Sequence, residues 1–193
     1  MNYHNLNLVD CFSHEIAQID DSDLQKFVKQ ILNECKPCHA WLPASASGKF
    51  HPQYALGEGG LVRHTKVVVQ NVMELIEATP AVQSERDELI AAAIIHDMCK
   101  YEKSEETTCF EHPALMGDKC DAVGFKNIAR LVRAHQGIWI TSKVAPGFVN
   151  KKPEKFDEYI LHYADLMASR PYLQVTFDSD TGEIVLDPNR KSN

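Results

Sequence analysis

The sequence predicts an all-α bundle of about six to seven helices, closed by a small C-terminal β-hairpin. Three observations carry that expectation. Apolar residues recur at helical spacing in 60–78, where Val68, Val72, Leu75 and Ile76 share a face. Residues 89–95 are apolar nearly all round, the pattern of a buried central helix. Strict alternation is confined to the tail, LQVTFDSDTGEIVLD, which turns at 180–182.

Taken in order, residues 8–18 and 22–35 read as helices, with Asp21 or Ser22 capping the second. Residues 37–60 carry prolines at 37, 43 and 52 and glycines at 48, 57, 59 and 60, which predicts a long loop. Loops of this length in compact domains are usually functional or disordered. The helix over 60–78 follows. Ser84 and Asp87 read as a capping-box variant opening a helix over 85–101. A loop at 102–110 leads to helices over 112–123 and 126–136, separated by Gly124 as a stop. A second long loop, 137–155, holds Pro146, Gly147 and Pro153. The last helix, 156–169, is ended by Pro171, and the hairpin pairs 173–177 with 183–186. These pieces form one domain over 1–193: N-terminal helices to 36, a core over 37–171, and a hairpin and tail over 172–193. No internal repeat or low-complexity tract interrupts them.

Composition narrows the function classes. Of 193 residues, 44% are hydrophobic, enough for a real core. The formal net charge of -7 opposes electrostatic capture of long polyanions. A local metal ion can still outweigh that charge for a small phosphorylated ligand. No apolar run reaches the roughly 20 residues that span a bilayer. The N-terminus lacks a basic stretch followed by an apolar one, so a cytoplasmic protein with no membrane partner is expected. The six cysteines, Cys11, Cys35, Cys38, Cys99, Cys109 and Cys120, are then expected to be reduced thiols.

His96 and Asp97 end the most apolar segment. An ionised Asp there is costly unless it is paired or binds a metal. Imidazole and carboxylate together suit Mn, Fe, Zn or Ni. The dipeptide alone reads equally well as a satisfied polar pair at a helix end. Lys100 lies at i+4 and i+3 from the pair, on one helical face, where it suits a phosphate oxygen; it also suits a plain helix C-terminus. His64 sits on the rim of an apolar arc, His135 within one beside Ile128, Leu131 and Val132, and His112 at a helix start before Pro113. By period, Asp165 falls with Asp157, Glu158, His162 and Ser169 on a solvated side.

Other residues carry weaker signals. Ser45, Ser47, Lys49 and His51 lie in the loop before His64, either solvated or covering a cleft with phosphate contacts. Trp41 and Trp139 flank the two long loops; closing the core is the default, stacking on a base the alternative. Gln136 and Lys143 are ligand contacts by position only. Cys35-Lys-Pro-Cys38-His39 matches a haem-attachment spacing, but without an export signal no haem is expected. Buried or incidental thiols are preferred there.

The ordered set His64, His96-Asp97, His112, His135 and Asp165, with GGLVRHT, HDMCK and HYADLMAS around it, resembles the HD superfamily of metal-dependent phosphohydrolases. The likeness spans about residues 40–170. With PAS.SGKFHP and AHQG added, it is closest to the HD domains of bacterial 3′–5′ exoribonucleases and of some conjugative relaxases. The resemblance implies an HD-domain helical bundle. It implies a first divalent ion on His64, His96, Asp97 and Asp165, with Asp97 bridging to a second held by His112 and His135. The ions would be Mn, Fe, Mg, Ni or Zn. The family often has His-His where this chain has His135-Gln136. Asp97 and Lys100 would be catalytic, and Ser47, Lys49, His51 and Gln136 would touch substrate. The implied reaction is hydrolysis of a phosphate ester in a nucleotide or related small phosphorylated molecule, by a metal-activated water attacking phosphorus in line. The alternatives are a 3′–5′ exonuclease acting on short single-stranded nucleic acid and a non-catalytic nucleotide-sensing module.

Overall fold

Asp21 turns the chain into its first long helix: its carboxylate accepts the N–H groups of Asp23 and Leu24, satisfying donors that a helix start leaves unpaired. The computed structural model describes residues 2–49, 51–137 and 151–186. Among these it contains α1 (Leu8–Cys11), α2 (Ser13–Ile16), α3 (Ser22–Glu34), α4 (Gly60–Glu77), α5 (Arg86–Ile95), α6 (His112–Ala122), α7 (Lys126–Ala134) and α8 (Phe156–Ala168). The class is all-α, as the sequence predicts. Among the described residues, no helix is long and apolar enough to cross a membrane.

α5 is the central element. Every residue from Leu89 to Ile95 is buried, and α5 packs against α2, α3, α4, α7 and α8. Each buried Leu or Ile there stabilises the fold by roughly 1.5–3 kcal/mol. All six cysteines are buried free thiols.

Several boundaries differ from expectation. The helix expected over 8–18 breaks at Phe12 (φ -111°, ψ 18°) into α1 and α2, a break that lets Leu8, Cys11, Phe12 and Ile16 all reach the interior. The Ser84–Asp87 capping box does not form. Ser84 donates to Glu85, while Asp87 Oδ2 accepts the N–H groups of Asp20 (2.9 Å) and Asp21 (2.7 Å), tying the start of α5 to that of α3. The helix expected over 85–101 stops at Ile95. Residues 96–101 continue in tighter turns, with Met98 N–H on Ile95 O and Lys100 N–H on Asp97 O. Tyr101 fastens them: its N–H donates to His39 Nε2 and its hydroxyl to Pro43 O.

The loop over 37–60 is pinned rather than loose. Gly59 N–H donates to Trp41 O, and Leu61 N–H to Leu42 O. A Cβ on Gly60 would sit 2.3 Å from Ala55 O, so only glycine fits there. Trp41 stacks on His4 at 4.7 Å. Trp139, Lys143 and most of the 137–155 loop lie outside the described residues. The C-terminal hairpin is the other correction: the described residues show a single isolated antiparallel bridge, Phe177–Ile184, and no paired strands. Asp178 curls the chain by accepting the N–H groups of Asp180 and Thr181 and the Thr181 hydroxyl. Glu183 is then drawn inward to Lys66 at 2.9 Å.

An ion-pair knot joins α7 to α8. Arg130 grips the Asp157 carboxylate and reaches Glu158 at 3.0 Å. Glu158 also accepts the N–H groups of Glu154 and Lys155 and the Lys151 ammonium. Burial pushes the Glu158 carboxyl up, but these donors outweigh it and hold the group at about 2, against an ordinary 4.5. A depressed folded-state value gives stability that is present above pH 4.5 and is lost as pH falls toward 2. Glu158→Gln is therefore expected to flatten the acid limb of a melting-temperature profile over that window. A curve parallel to wild type would count against this role.

Candidate metal centre

Five elements bring their ends to one point. His64 comes from the first turns of α4, and His96 and Asp97 from the turn leaving α5. His112 opens α6, His135 follows the end of α7, and Asp165 lies on α8. All four imidazoles and Asp97 are buried.

Asp97 is the hub. Its Oδ1 lies 2.9 Å from His112 Nε2 and 3.6 Å from His135 Nε2. Its Oδ2 lies 3.4 Å from His96 Nε2, 3.7 Å from His64 Nε2 and 2.6 Å from Lys100 Nζ. Asp165 Oδ1 is 3.0 Å from His64 Nε2 and 3.9 Å from His96 Nε2. The two oxygens of Asp97 thus face two separate groups of nitrogens.

The tautomers follow from the backbone. His96, His112 and His135 each place Nδ1 on a carbonyl three residues earlier, that of Ala93 (2.7 Å), Cys109 (2.6 Å) and Val132 (2.6 Å). A carbonyl only accepts, so Nδ1 carries the proton, and in each neutral ring Nε2 offers its lone pair to the centre. His96 Nε2 is buried without a hydrogen-bond partner. His112 Nε2 and His135 Nε2 face each other at 3.2 Å. Ligand atoms about 2.1 Å from a cation lie about 3.0 Å (octahedral) to 3.4 Å (tetrahedral) apart. The His64–Asp165, His112–Asp97, His112–His135 and His96–Asp97 spacings, 2.9–3.4 Å, match those edges, while those of His64 and His135 to Asp97 and of His96 to Asp165, 3.6–3.9 Å, are wider. The sets His64, His96, Asp165 and His96, Asp97, His135 could each hold a metal ion.

Electrostatics agree with the donor set. Burial pushes the Asp97 carboxyl up, but Lys100 and His96 overcome it and hold the group well below the carboxylate range. Asp165 is likewise held low, by His64 against burial. Burial lowers His64, and lowers His112 to about 4. Burial opposes protonation of His96 too, but the neighbouring Asp97 wins and raises it. That rise reflects two carboxylates concentrated at one point, a potential a divalent cation would offset.

The expected residues are not all brought together. Asp165, placed by periodicity on a solvated side, is only 18% exposed in its side chain and meets His64. His64, expected on a rim, is fully buried. Lys100 reaches Asp97 across a turn rather than along a helix face. His51 sets its ring edge-on to His64 at 5.2 Å, with its Nδ1 buried and unpartnered. Gln136 Nε2 lies 3.3 Å from His112 Nε2. Ser47 and Lys49 contact each other and Ser45, with no described contact to the cluster. Sequence reasoning missed the residues that hold the ligands in place. Asn71 donates to Ala164 O and Tyr54 to Ala168 O, fixing α8 on either side of Asp165. His162 Nδ1 donates to His135 O at 2.7 Å. Gly137 admits that ring, since a Cβ would meet it at 2.6 Å. A third acidic set, His14, Glu15 and Glu183, also has metal-ligand spacing, but the Lys66 ammonium already fills it.

Fold and cluster together define a class: an all-α bundle built round a buried histidine–aspartate centre able to hold divalent metal. More particularly, the chain is similar to the dihydroneopterin 2′,3′-cyclic phosphate phosphodiesterase of Methanocaldococcus jannaschii, at 30% identity over 165 residues. The match covers 77% of this chain and 64% of that protein, so the chain spans less than two thirds of its relative's length. No family model matches the chain, and no solved structure matches it significantly.

Proposed function

We propose that the chain is a metal-dependent phosphohydrolase of the HD superfamily, cleaving a phosphodiester in a small phosphorylated molecule. The observation that carries this reading is the Asp97 carboxylate: two oxygens facing two groups of imidazole Nε2 atoms, three of them aimed by backbone carbonyls. In this reading His64, His96, Asp97 and Asp165 hold a first ion, and Asp97, His112 and His135 a second. Bound ions (Mn, Fe, Mg, Ni or Zn) would supply Lewis acidity, activating water and neutralising phosphoryl charge.

The chain's own groups do the rest. Asp97 and Lys100 are assigned as catalytic. The Lys100 ammonium, 2.6 Å from Asp97 Oδ2, is placed to meet a phosphoryl oxygen where negative charge develops. His51, buried edge-on to His64 with a free Nδ1, is assigned to hold substrate. Ser47 and Lys49 follow on the same loop as outer substrate contacts. The named activity of the archaeal relative favours a diester over a monoester. Its substrate supports a small heterocycle bearing a cyclic phosphate, with nucleotide 2′,3′-cyclic phosphates the nearest common analogues. The net charge of -7 favours such a substrate over long nucleic acid.

The test is to strip the chain with chelator, reload it with Mn²⁺ and measure metal content. Hydrolysis of bis(p-nitrophenyl) phosphate, p-nitrophenyl phosphate, 2′,3′-cyclic nucleotides and a short single-stranded oligonucleotide is then compared. Stoichiometric metal with chelator-sensitive diester cleavage is expected. Metal without any cleavage would favour a sensing module, and a chain that takes up no metal would end the proposal. His51→Ala is expected to lower kcat/KM about 10²-fold with metal content unchanged, the effect of removing one positioned hydrogen-bonding group. Wild-type kinetics would remove His51 from the site.

A further inference from the structure

We propose that the Gln136 side-chain oxygen is a ligand of the second ion; this rests on the metal-centre reading and makes that half of the centre a mixed nitrogen–oxygen site. His112 Nε2 has three polar neighbours: Asp97 Oδ1 at 2.9 Å, His135 Nε2 at 3.2 Å and the Gln136 carboxamide at 3.3 Å. All three separations match the edge of a coordination polyhedron with bonds of about 2.1 Å. The first two neighbours offer lone pairs to that spot. The carboxamide is the third group there, and a half-turn about its last torsion exchanges its nitrogen for its oxygen, an acceptor with two lone pairs.

The backbone holds Gln136 in that position. It directly follows His135, whose Nδ1 is tied to Val132 O and whose carbonyl is held by His162. The turn leaving α7 therefore presents two adjacent side chains to one point: an imidazole from residue 135 and a carboxamide from residue 136. Asp97 Oδ1, His112, His135 and Gln136 then make a set of two nitrogens and two oxygens. A carboxamide oxygen is neutral and hard, so the set shifts preference toward oxygen-favouring ions such as Mn²⁺ over Zn²⁺. It also leaves the second site one charge less negative than a carboxylate would.

The test counts ions per chain at buffered free Mn²⁺, comparing wild type with Gln136→Met and Gln136→Glu. Methionine keeps the volume and removes the oxygen donor. Glutamate keeps the oxygen and adds charge. Wild type is expected to bind two ions. Gln136→Met should bind one at the same free Mn²⁺, with its second affinity weakened about 10–100-fold, the range seen when a group supporting a metal site is removed. Gln136→Glu should hold both, the second at least as tightly as wild type. Two ions at wild-type affinity in Gln136→Met overturn the assignment, as does loss of the second ion from both variants, which marks a packing role. A wild-type chain that binds one ion overturns it while the first site and the proposed function stand. A wild-type chain that binds none overturns the proposed function itself.

Discussion

Asp97→Ala is expected to abolish metal binding and hydrolysis together. The single carboxylate supplies an oxygen to each half of the centre, Oδ1 toward His112 and His135 and Oδ2 toward His64 and His96. Removing it leaves the His112–His135 half with no carboxylate and the His64–His96 half with Asp165 alone to offset a divalent charge. Turnover should fall by at least about 10³-fold, since loss of one preorganised electrostatic group alone lowers rates by about 10²–10³. A thermal readout separates this from unfolding. Mn²⁺ at 100 times its dissociation constant stabilises a wild-type site by about 2.7 kcal/mol, or roughly 5–11 °C in Tm for a chain of this size. The variant should show no such rise while its metal-free melting remains cooperative. Asp97→Asn should also lose the two-ion centre, because the neutral amide offers an oxygen to one half only and turns N–H donors toward the lone pairs of the other. Full turnover with unchanged metal content in either variant would refute the assignment.

The fold was largely legible because burial follows hydrophobic period. The all-round apolar run 89–95 predicts a central helix, and α5 is that helix. The boundaries that failed are those where a side chain or a distant backbone group competes with helix continuation. The turn after Ile95 is stabilised by Tyr101 bonding to His39 and Pro43, contacts separated by about 60 positions that no local pattern encodes. Ser84 and Asp87 have the spacing of a cap, but the Asp87 carboxylate finds stronger donors at the start of α3. The tail alternates as a hairpin does, yet among the described residues one bridge forms, where Asp178 tightens the turn and the half-buried Glu183 reaches Lys66.

The centre was legible for a different reason. His96-Asp97 after a wholly apolar segment is an anomaly that burial makes costly, and the spacing of the other histidines carried a family likeness. Asp165 shows the limit of period alone. Its arc is polar because it meets partners inside the fold, Asp157 and Glu158 on Arg130, His162 on the His135 carbonyl and Asp165 on His64, which periodicity cannot distinguish from water. The supporting residues Asn71, Tyr54 and His162 had no sequence signal, since each acts by bonding a backbone carbonyl on another element.

The second large effect lies away from the centre. Lys66→Met is expected to destabilise the chain by about 3–5 kcal/mol, the range for breaking a buried ion pair on one side. The Lys66 side chain is 0% exposed. Its ammonium meets both oxygens of Glu15 at 2.9 Å and Glu183 at 2.9 Å, above the Phe12 ring. It thereby ties α2, α4 and the C-terminal tail into one knot. Methionine keeps the packing but leaves the buried Glu15 carboxylate facing the half-buried Glu183 with no cation between them. Tm should drop by roughly 6–20 °C, with metal content retained in the folded fraction. Adding Glu15→Gln to Lys66→Met should recover part of the loss, because the uncompensated charge rather than the missing methylene is the cause. The pH dependence has a definite sign. Burial already outweighs Lys66 and raises the Glu15 carboxyl above 4.5; without the cation it rises further. A carboxyl raised in the folded state is destabilising when ionised, and protonation relieves it. The deficit of Lys66→Met relative to wild type should therefore narrow as pH falls from 7 toward 5. A deficit constant across that range would show that packing, not charge, holds the knot together.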